Sequence, residues 1–331
     1  MLQSILHVFG TLAPIYLILA LGAWLRHIGF ISAAIASGLN RLVFYIALPC
    51  FIAHSIAVAK IAGGWQCAAL ALAGGTLVVF VAAWLLAPAM GISKFSRPSF
   101  CQSAFRSNNA YIGIPVMLFA FSGRPELEEV KSLATLTLAP CLILYNVSAV
   151  AILTKADDEV SPARRAVKVV CGMLRNPLII SSVAGIVLLL LRLVAGGSIP
   201  DGKTILPAPV EKTMLTLGQM ATPGSILALG ASLTPAILRA NLRGAHWTAL
   251  LKLVVAPLAG LAFAYALSLP PLDRFVVVCY LACPSAVASF VMAQAMGGDA
   301  DIAGSSVALT TIYSFISLSA VLLWAMPPLS V

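Results

Sequence analysis

Charged side chains are scarce in this sequence. Only 9% of its 331 residues are charged, whereas 61% are hydrophobic. Soluble domains carry roughly 25% charged residues, so a water-soluble core does not explain this composition. Long apolar runs recur to the C-terminus, each near the roughly 20 residues that a helix needs to cross a bilayer. The composition therefore predicts an all-α polytopic membrane protein.

Acidic residues are rarer still, and none lies inside an apolar run. All 11 fall in loops or at the ends of runs. The sequence has no His-Glu-x-x-His pattern, and its seven cysteines lack the spacing of a metal site. We therefore expect no intramembrane aspartyl protease, no metalloenzyme and no Asp/Glu proton relay at the midplane. Neither an enzyme nor a bound cofactor or metal is expected.

The apolar runs predict ten spans, and the basic residues between them predict the orientation. The net charge of +9 comes from loops, so it indicates topology rather than a nucleic-acid partner. Eleven basic residues fall on one face and seven on the other, which places the loop between spans five and six in the cytoplasm and both termini outside. We expect a multi-pass protein of a bacterial inner membrane. The predicted spans are 5–25, 40–58, 66–88, 99–121, 132–153, 177–195, 212–233, 246–268, 274–296 and 302–325.

Proline placement predicts an internal repeat. Pro49 and Pro223 lie in spans two and seven, and Pro115 and Pro284 lie in spans four and nine, at separations of 174 and 169 residues. Five spans in each half force the second half to enter from the opposite side, which gives an inverted-topology pair. We therefore predict two five-helix repeats at 1–153 and 177–331, joined by a cytoplasmic linker at 154–176.

Spans four and nine carry the main site candidates. A membrane helix keeps a proline in mid-span where neighbours or a cavity satisfy the freed carbonyl groups. Gly113 and Pro115 in span four, and Pro284 and Ser285 in span nine, predict two broken helices that cross near the midplane. Half-helix N-termini there suit a small carboxylate, and exposed carbonyls suit a cation. A pair of kinked packing helices is the alternative.

Polar side chains within the spans are few. Asn108 and Asn109 carry amides that bind a carboxylate or sodium without burying a net charge; one is expected to line a cavity and the other to pack. Arg106 is a candidate for holding a carboxylate, or for pairing with Asp299 in a supporting role. His54 is a candidate substrate ligand, with a hydrogen-bonded packing residue as the alternative.

Other residues in the spans receive supporting or packing roles. Gln294 in span nine and Asn146 in span five are expected to form interhelical hydrogen bonds. Pro49 and Pro223 are expected to support the site from spans two and seven. Lys252, about a turn into span eight, is expected to extend its ammonium group to the membrane interface.

Several short motifs follow one another along the chain: LNRLV (39–43), ALP (47–49), FRSNNAYIGIP (105–115), NPL (176–178), LGASL (229–233), CPS (283–285) and GGD (297–299). In this order and spacing they resemble the auxin efflux carrier family, which includes plant auxin exporters and bacterial permeases for malate, malonate and related carboxylates. The resemblance covers the whole chain. One departure is GGWQ (63–66), where plant members carry an acidic residue and a lysine, so auxin itself is not the expected substrate.

The resemblance implies a fold similar to that of the bile acid sodium symporters. Spans one, two, six and seven would form a scaffold domain, and spans three to five and eight to ten a transport domain that moves in elevator-like alternating access. Asn108, Pro115 and Pro284 match crossover positions of the family, and His54 matches a histidine of its plant members.

The sequence thus predicts a secondary transporter of a small organic anion, such as malate, malonate or an auxin-like acid. Coupling to sodium or to protons is left open, as are the direction of transport and a homodimer formed through the scaffold domain. A membrane ligand sensor or a channel on the same fold is the alternative.

Overall fold

The computed structural model describes residues 2–59, 64–153, 177–195 and 203–327, together with Val167 and Cys171. Within these residues the regular structure is helical, and no β-strand is present. The predicted linker at 154–176 lies outside the described residues except for Val167 and Cys171. The α-helices are α1 (Leu2–His27), α2 (Ala33–Leu42), α3 (Leu48–Ala57), α4 (Trp65–Leu86), α5 (Arg97–Phe105), α6 (Ile114–Ala120), α7 (Leu127–Leu153), α8 (Pro177–Val194), α9 (Ala208–Gln219), α10 (Ala221–Ser232), α11 (Pro235–Arg239), α12 (Leu242–Leu250), α13 (Ala256–Ala266), α14 (Pro271–Ala282), α15 (Val287–Ala295) and α16 (Ala300–Trp324).

All ten predicted spans coincide with helical segments. Seven segments of the described chain are long and apolar enough to cross a membrane, and they match predicted spans one, two, three, five, six, eight and ten. The other three predicted spans match interrupted helices: α5 with α6, α9 with α10, and α14 with α15. The largest difference in bounds is at span two, where helix begins at Ala33 rather than near 40, because Ser32 caps it by accepting a hydrogen bond from the Ile35 nitrogen.

The described part of the chain contains three wide π-helical turns, each just before a proline of a membrane helix. Proline lacks an N–H, and its ring clashes with the carbonyl of the preceding turn, so the helix widens to i→i−5 bonding just before the ring. Each π segment ends two residues before a proline. The segments are π1 (Val43–Ala47, before Pro49), π2 (Asn109–Gly113, before Pro115) and π3 (Leu251–Val255, before Pro257).

The helices pack in two groups. In the first, the most extensive contacts join α1 to α10 and α3 to α8. Gly22 and Gly230 permit the α1–α10 contact, because a Cβ atom at Gly22 would overlap the Leu227 carbonyl oxygen and one at Gly230 would overlap the Leu19 carbonyl oxygen. In the second group, α4 packs on α7 and α13, and α12 packs on α16. A large cavity lies between the two groups.

The helix break in span four lies before the position that its proline indicates. Helix α5 ends at Phe105, and Arg106 is extended, with φ −84° and ψ 108°. Pro115 does not break the helix, because π2 absorbs its missing hydrogen bond. In span nine the break does contain its proline, since the chain leaves helix α14 at Cys283 and re-enters helix α15 at Val287 around Pro284.

Candidate functional site

The two broken helices meet at their breaks through backbone hydrogen bonds. The Asn108 nitrogen donates to the Pro284 carbonyl at 2.8 Å, and the Ala286 nitrogen donates to the Arg106 carbonyl at 2.9 Å. These bonds form an isolated antiparallel bridge centred on Ser107 and Ser285. Backbone groups freed by one break are thereby satisfied by the other, as a non-aqueous interior requires.

A cavity of about 1110 Å³ adjoins this bridge. One wall consists of α2 and parts of α1 and α10, and the other of π2, α7 and α15. Its volume is slightly above the roughly 300–1,000 Å³ usual for small-molecule sites. The polar side chains on its walls come from both sides: Arg26, Ser37, Asn40, Arg41, Arg106, Ser107, Asn108, Asn109, Asn146, Ser232, Thr234 and Gln294.

The charged groups that line the cavity are all cationic. They are the guanidinium groups of Arg26, Arg41 and Arg106, and no described aspartate or glutamate lines it. The Arg106 side chain is buried and donates to Asn146 Oδ1 at 3.1 Å and to Met292 Sδ at 2.9 Å. Both partners are neutral, so the cavity holds a guanidinium whose positive charge no described carboxylate balances.

The predicted pairing of Arg106 with Asp299 is not found. Asp299 is the N-cap of α16 instead, and its Oδ1 accepts a hydrogen bond from the Ile302 nitrogen at 3.1 Å. The free N–H groups of the first helical turn attract this carboxylate, and they lie within a few residues of it in sequence. The positive charge of Arg106 is therefore left to face the cavity.

Hydrogen-bond donors without charge lie beside the guanidinium. The Asn108 Nδ2 atom is buried and has no hydrogen-bond partner among the described residues, whereas Asn109 Nδ2 donates to the Tyr145 hydroxyl at 3.4 Å. Both asparagines line the cavity, as do Val287 and Ala288 at the start of α15. The first N–H groups of a helix have no intrahelical acceptor and favour anions. This wall of the cavity thus offers three kinds of hydrogen-bond donor: a guanidinium, side-chain amides and the backbone N–H groups of a helix N-terminus.

Two other predicted ligands, Ser285 and Gly113, are buried behind this wall. The Ser285 hydroxyl donates to the Ser103 carbonyl at 2.6 Å, and its nitrogen donates to the Thr310 hydroxyl at 3.0 Å. A Cβ atom at Gly113 would lie 2.8 Å from the Tyr280 ring. Both residues hold the broken helices together and do not line the cavity. Pro115 and Pro284 are likewise buried and do not line it.

His54 lies away from the cavity. Its Nε2 atom is 3.4 Å from Glu211 Oε1, and both side chains are buried. The same carboxylate oxygen accepts a hydrogen bond from the Thr204 nitrogen at 3.1 Å. This position favours the packing interpretation of His54 over substrate binding. Pro49 and Pro223 also lie outside the cavity wall, whereas Gln294 lines it.

The cavity wall also contains Arg26, Asn40 and Arg41 of the first two helices, to which the sequence alone assigns no site role. Arg26 and Arg41 lie at predicted span ends, where basic residues indicate topology. Asn40 Nδ2 donates to Ser232 Oγ at 3.1 Å, while its Oδ1 has no partner among the described residues. The motif LNRLV, which contains Asn40 and Arg41, is the sequence feature that could have indicated a role in the site for these two residues.

Comparisons with known proteins agree with a transport function. The family model described as "Membrane transport protein" matches residues 7–322. An "Uncharacterized transporter" of Methanothermobacter thermautotrophicus is 24% identical over 315 residues, a match that covers 93% of this chain and 95% of the relative.

Proposed function

Because the chain belongs to the membrane transport protein family, also called the auxin efflux carrier family, we propose that it is a secondary transporter of a small organic anion. It is a multi-pass membrane protein of a transporter family, with seven long apolar helical segments among its described residues. The substrate class and the mechanism are the proposed part. Malate, malonate and auxin-like acids are the candidate substrates.

The charge of the cavity supports an anionic substrate. Arg26, Arg41 and Arg106 line it, and no described carboxylate opposes them. A buried guanidinium without a counter-ion is costly, and an incoming carboxylate supplies the missing charge with bidentate geometry. A cationic substrate would find only like charge there. This single feature of the cavity carries the proposal.

We place the substrate carboxylate between Arg106, Asn108 and the N-terminus of α15. The Asn108 amide nitrogen has no other partner among the described residues, and Val287 begins α15 on the same wall. Helix N-termini stabilise anions through their partial positive charge. The apolar part of the substrate would contact Phe44, Leu178 and Val291, which also line the cavity.

Elevator-like movement of one helix group against the other is the proposed mechanism. The cavity lies between two groups of helices. One group consists of α1–α3 and α8–α10, and the other holds both broken helices. Helix α1 of predicted span one packs on α10 of span seven, and α3 of span two packs on α8 of span six. Such exchange of contacts between the two halves is expected for the scaffold of two inverted repeats. The hydrogen-bonded breaks around Ser107 and Ser285 would then move as one unit with the bound anion.

Transport into liposomes tests this function. Purified protein is reconstituted, and a panel of mono- and dicarboxylates is supplied with sodium and pH gradients imposed separately. Saturable flux of at least one carboxylate is the expected result, and Arg106→Gln in matched liposomes should abolish most of it. Ohmic current would indicate a channel, and binding without flux a sensor; either result would refute the carrier.

A further inference from the structure

The ammonium group of Lys252 is buried in the protein, contrary to the expectation that it reaches the membrane interface. Its side chain has 0% exposure, and Nζ donates to the Leu281 carbonyl at 2.8 Å. Lys252 lies in π3, whose widened turn precedes Pro257. No described carboxylate lies within 4.0 Å of the ammonium group.

Lys252 contacts the carbonyl end of the half-helix α14. The last carbonyl groups of a helix have no intrahelical donor, and together they carry roughly half a negative charge. In a water-free interior such an end requires donors, preferably cationic ones. Two neutral side chains supply part of the requirement: Cys283 Sγ donates to the Cys279 carbonyl at 3.2 Å, and Ser317 Oγ donates to the Ala282 carbonyl at 3.0 Å.

The Leu281 carbonyl, in contrast, accepts its hydrogen bond from the Lys252 ammonium group. This carbonyl lies one turn before the break at Pro284. The ammonium group therefore binds α14 next to the backbone bridge that joins the two broken helices. The matching end of α5 contains no such lysine, and its Ser103 carbonyl accepts from the Ser285 hydroxyl. The donors at both half-helix ends are therefore groups of the protein itself.

We propose that the Lys252 ammonium is a tethered cation that takes the place of a bound metal cation at the carbonyl end of α14, so that transport needs no sodium ion there. The proposal extends the proposed transport function by specifying its ion requirement. Its first test uses purified protein without substrate, so failure of the transport proposal leaves that test intact.

The thermal test compares the parent protein and three lysine variants, Lys252→Ala, Lys252→Met and Lys212→Met, in sodium, potassium and choline chloride at equal ionic strength. The parent should have the same melting temperature in all three salts. Lys252→Ala should melt lower in choline and regain about 2 °C or more on addition of sodium or methylammonium, which can enter the space left by the ammonium. Lys212→Met, at an exposed position, is the matched control and should behave as the parent does.

Two results would overturn the proposal. One is a sodium-specific rise in the melting temperature of the parent, which needs no variant and holds even if Lys252→Ala fails to fold. The other is a Lys252→Met variant with unchanged melting temperature in choline, because a helix end left without its cation must lose stability. Once a substrate is known, flux with choline in place of sodium should stay within twofold of the sodium rate, and a larger loss would also count against the proposal.

Discussion

The backbone nitrogen of Asn108 donates a hydrogen bond to the carbonyl oxygen of Pro284 at 2.8 Å. Neither residue has a helical partner for this group, because each lies in the break of a membrane helix. The bond and its companion between Ala286 and Arg106 therefore fix the two breaks to one another. In the proposed transport cycle, this bridge positions the substrate-facing amide of Asn108.

A disulfide between positions 107 and 285 should form on a background that lacks the seven native cysteines. Ser107 and Ser285 are directly opposite in an antiparallel bridge whose hydrogen bonds lie on either side of them. Such pairs have Cα atoms about 4.5 Å apart, within the range that a disulfide spans. Mild oxidation of Ser107→Cys/Ser285→Cys should remove both free thiols, as measured by mass spectrometry.

The matched control for this crosslink is Ser107→Cys/Ser289→Cys, because Ser289 lies in α15 beyond the bridge. It should keep its thiols under the same oxidation. Equal crosslinking of the two pairs would mean that the breaks are not held in register.

Asp299→Ala should lower stability and leave anion affinity unchanged. Loss of an N-cap costs about 0.5–2 kcal/mol, and Asp299 caps α16 rather than contacting Arg106. Melting temperature and carboxylate binding are both measured, with Asp301→Ala, an exposed position in the same first turn, as the control. If Asp299→Ala lost as much carboxylate affinity as an Arg106 variant, the result would indicate that Asp299 pairs with Arg106, as the sequence suggested.

Gly22→Ala and Gly230→Ala should each destabilise the protein by roughly 1–3 kcal/mol, the usual range for overpacking. Each added methyl group would meet a backbone carbonyl of the opposite helix, which cannot rotate away. Gly10→Ala is the control in the same helix α1, because a Cβ atom there meets nothing within 4 Å. Equal melting temperatures for Gly10→Ala and Gly22→Ala would show that α1 and α10 are not in close contact.

Much of the fold could be predicted from the sequence, because apolar runs of membrane length determine where helices form. The site was less predictable. No proline marks the break at Arg106, whose extended backbone depends on Ala286, far along the chain. For the same reason, the sequence shows His54 and Lys252 but not the Glu211 and Leu281 atoms that bind them.

Accessibility labelling should place Lys94 and Lys212 on opposite sides of the membrane. Both are exposed, and the excess of basic residues assigns Lys94 to the cytoplasm and Lys212 to the outside. In intact cells, an impermeant thiol reagent should modify Lys212→Cys but modify Lys94→Cys only after permeabilisation, again on a cysteine-free background. The opposite pattern would invert the predicted orientation.

The arginine and the amide on the cavity wall should contribute to anion binding in different ways. Arg106→Gln removes the buried charge and leaves Asn146 and Met292 as neutral neighbours. Loss of a hydrogen bond to a charged group costs about 1.5–3 kcal/mol, so carboxylate affinity should fall roughly 10- to 150-fold. Arg106→Lys keeps the charge without the bidentate geometry and should retain part of the affinity.

Asn108→Ala should lower affinity by about 5- to 150-fold, because its Nδ2 donor has no other described partner and its loss costs roughly 1–3 kcal/mol. The control is Arg41→Gln, since Arg41 is exposed and its charge is screened; the loss there should stay within about fivefold. Binding is measured by calorimetry on folded protein with the carboxylate that the liposome screen identifies.

If Asn108→Ala binds as the parent does, the amide is a packing group and Arg106 alone holds the anion. If Arg41→Gln loses as much affinity as Arg106→Gln, the carboxylate binds nearer to the α2 wall than we propose, where Arg41 rather than the broken helices supplies the charge.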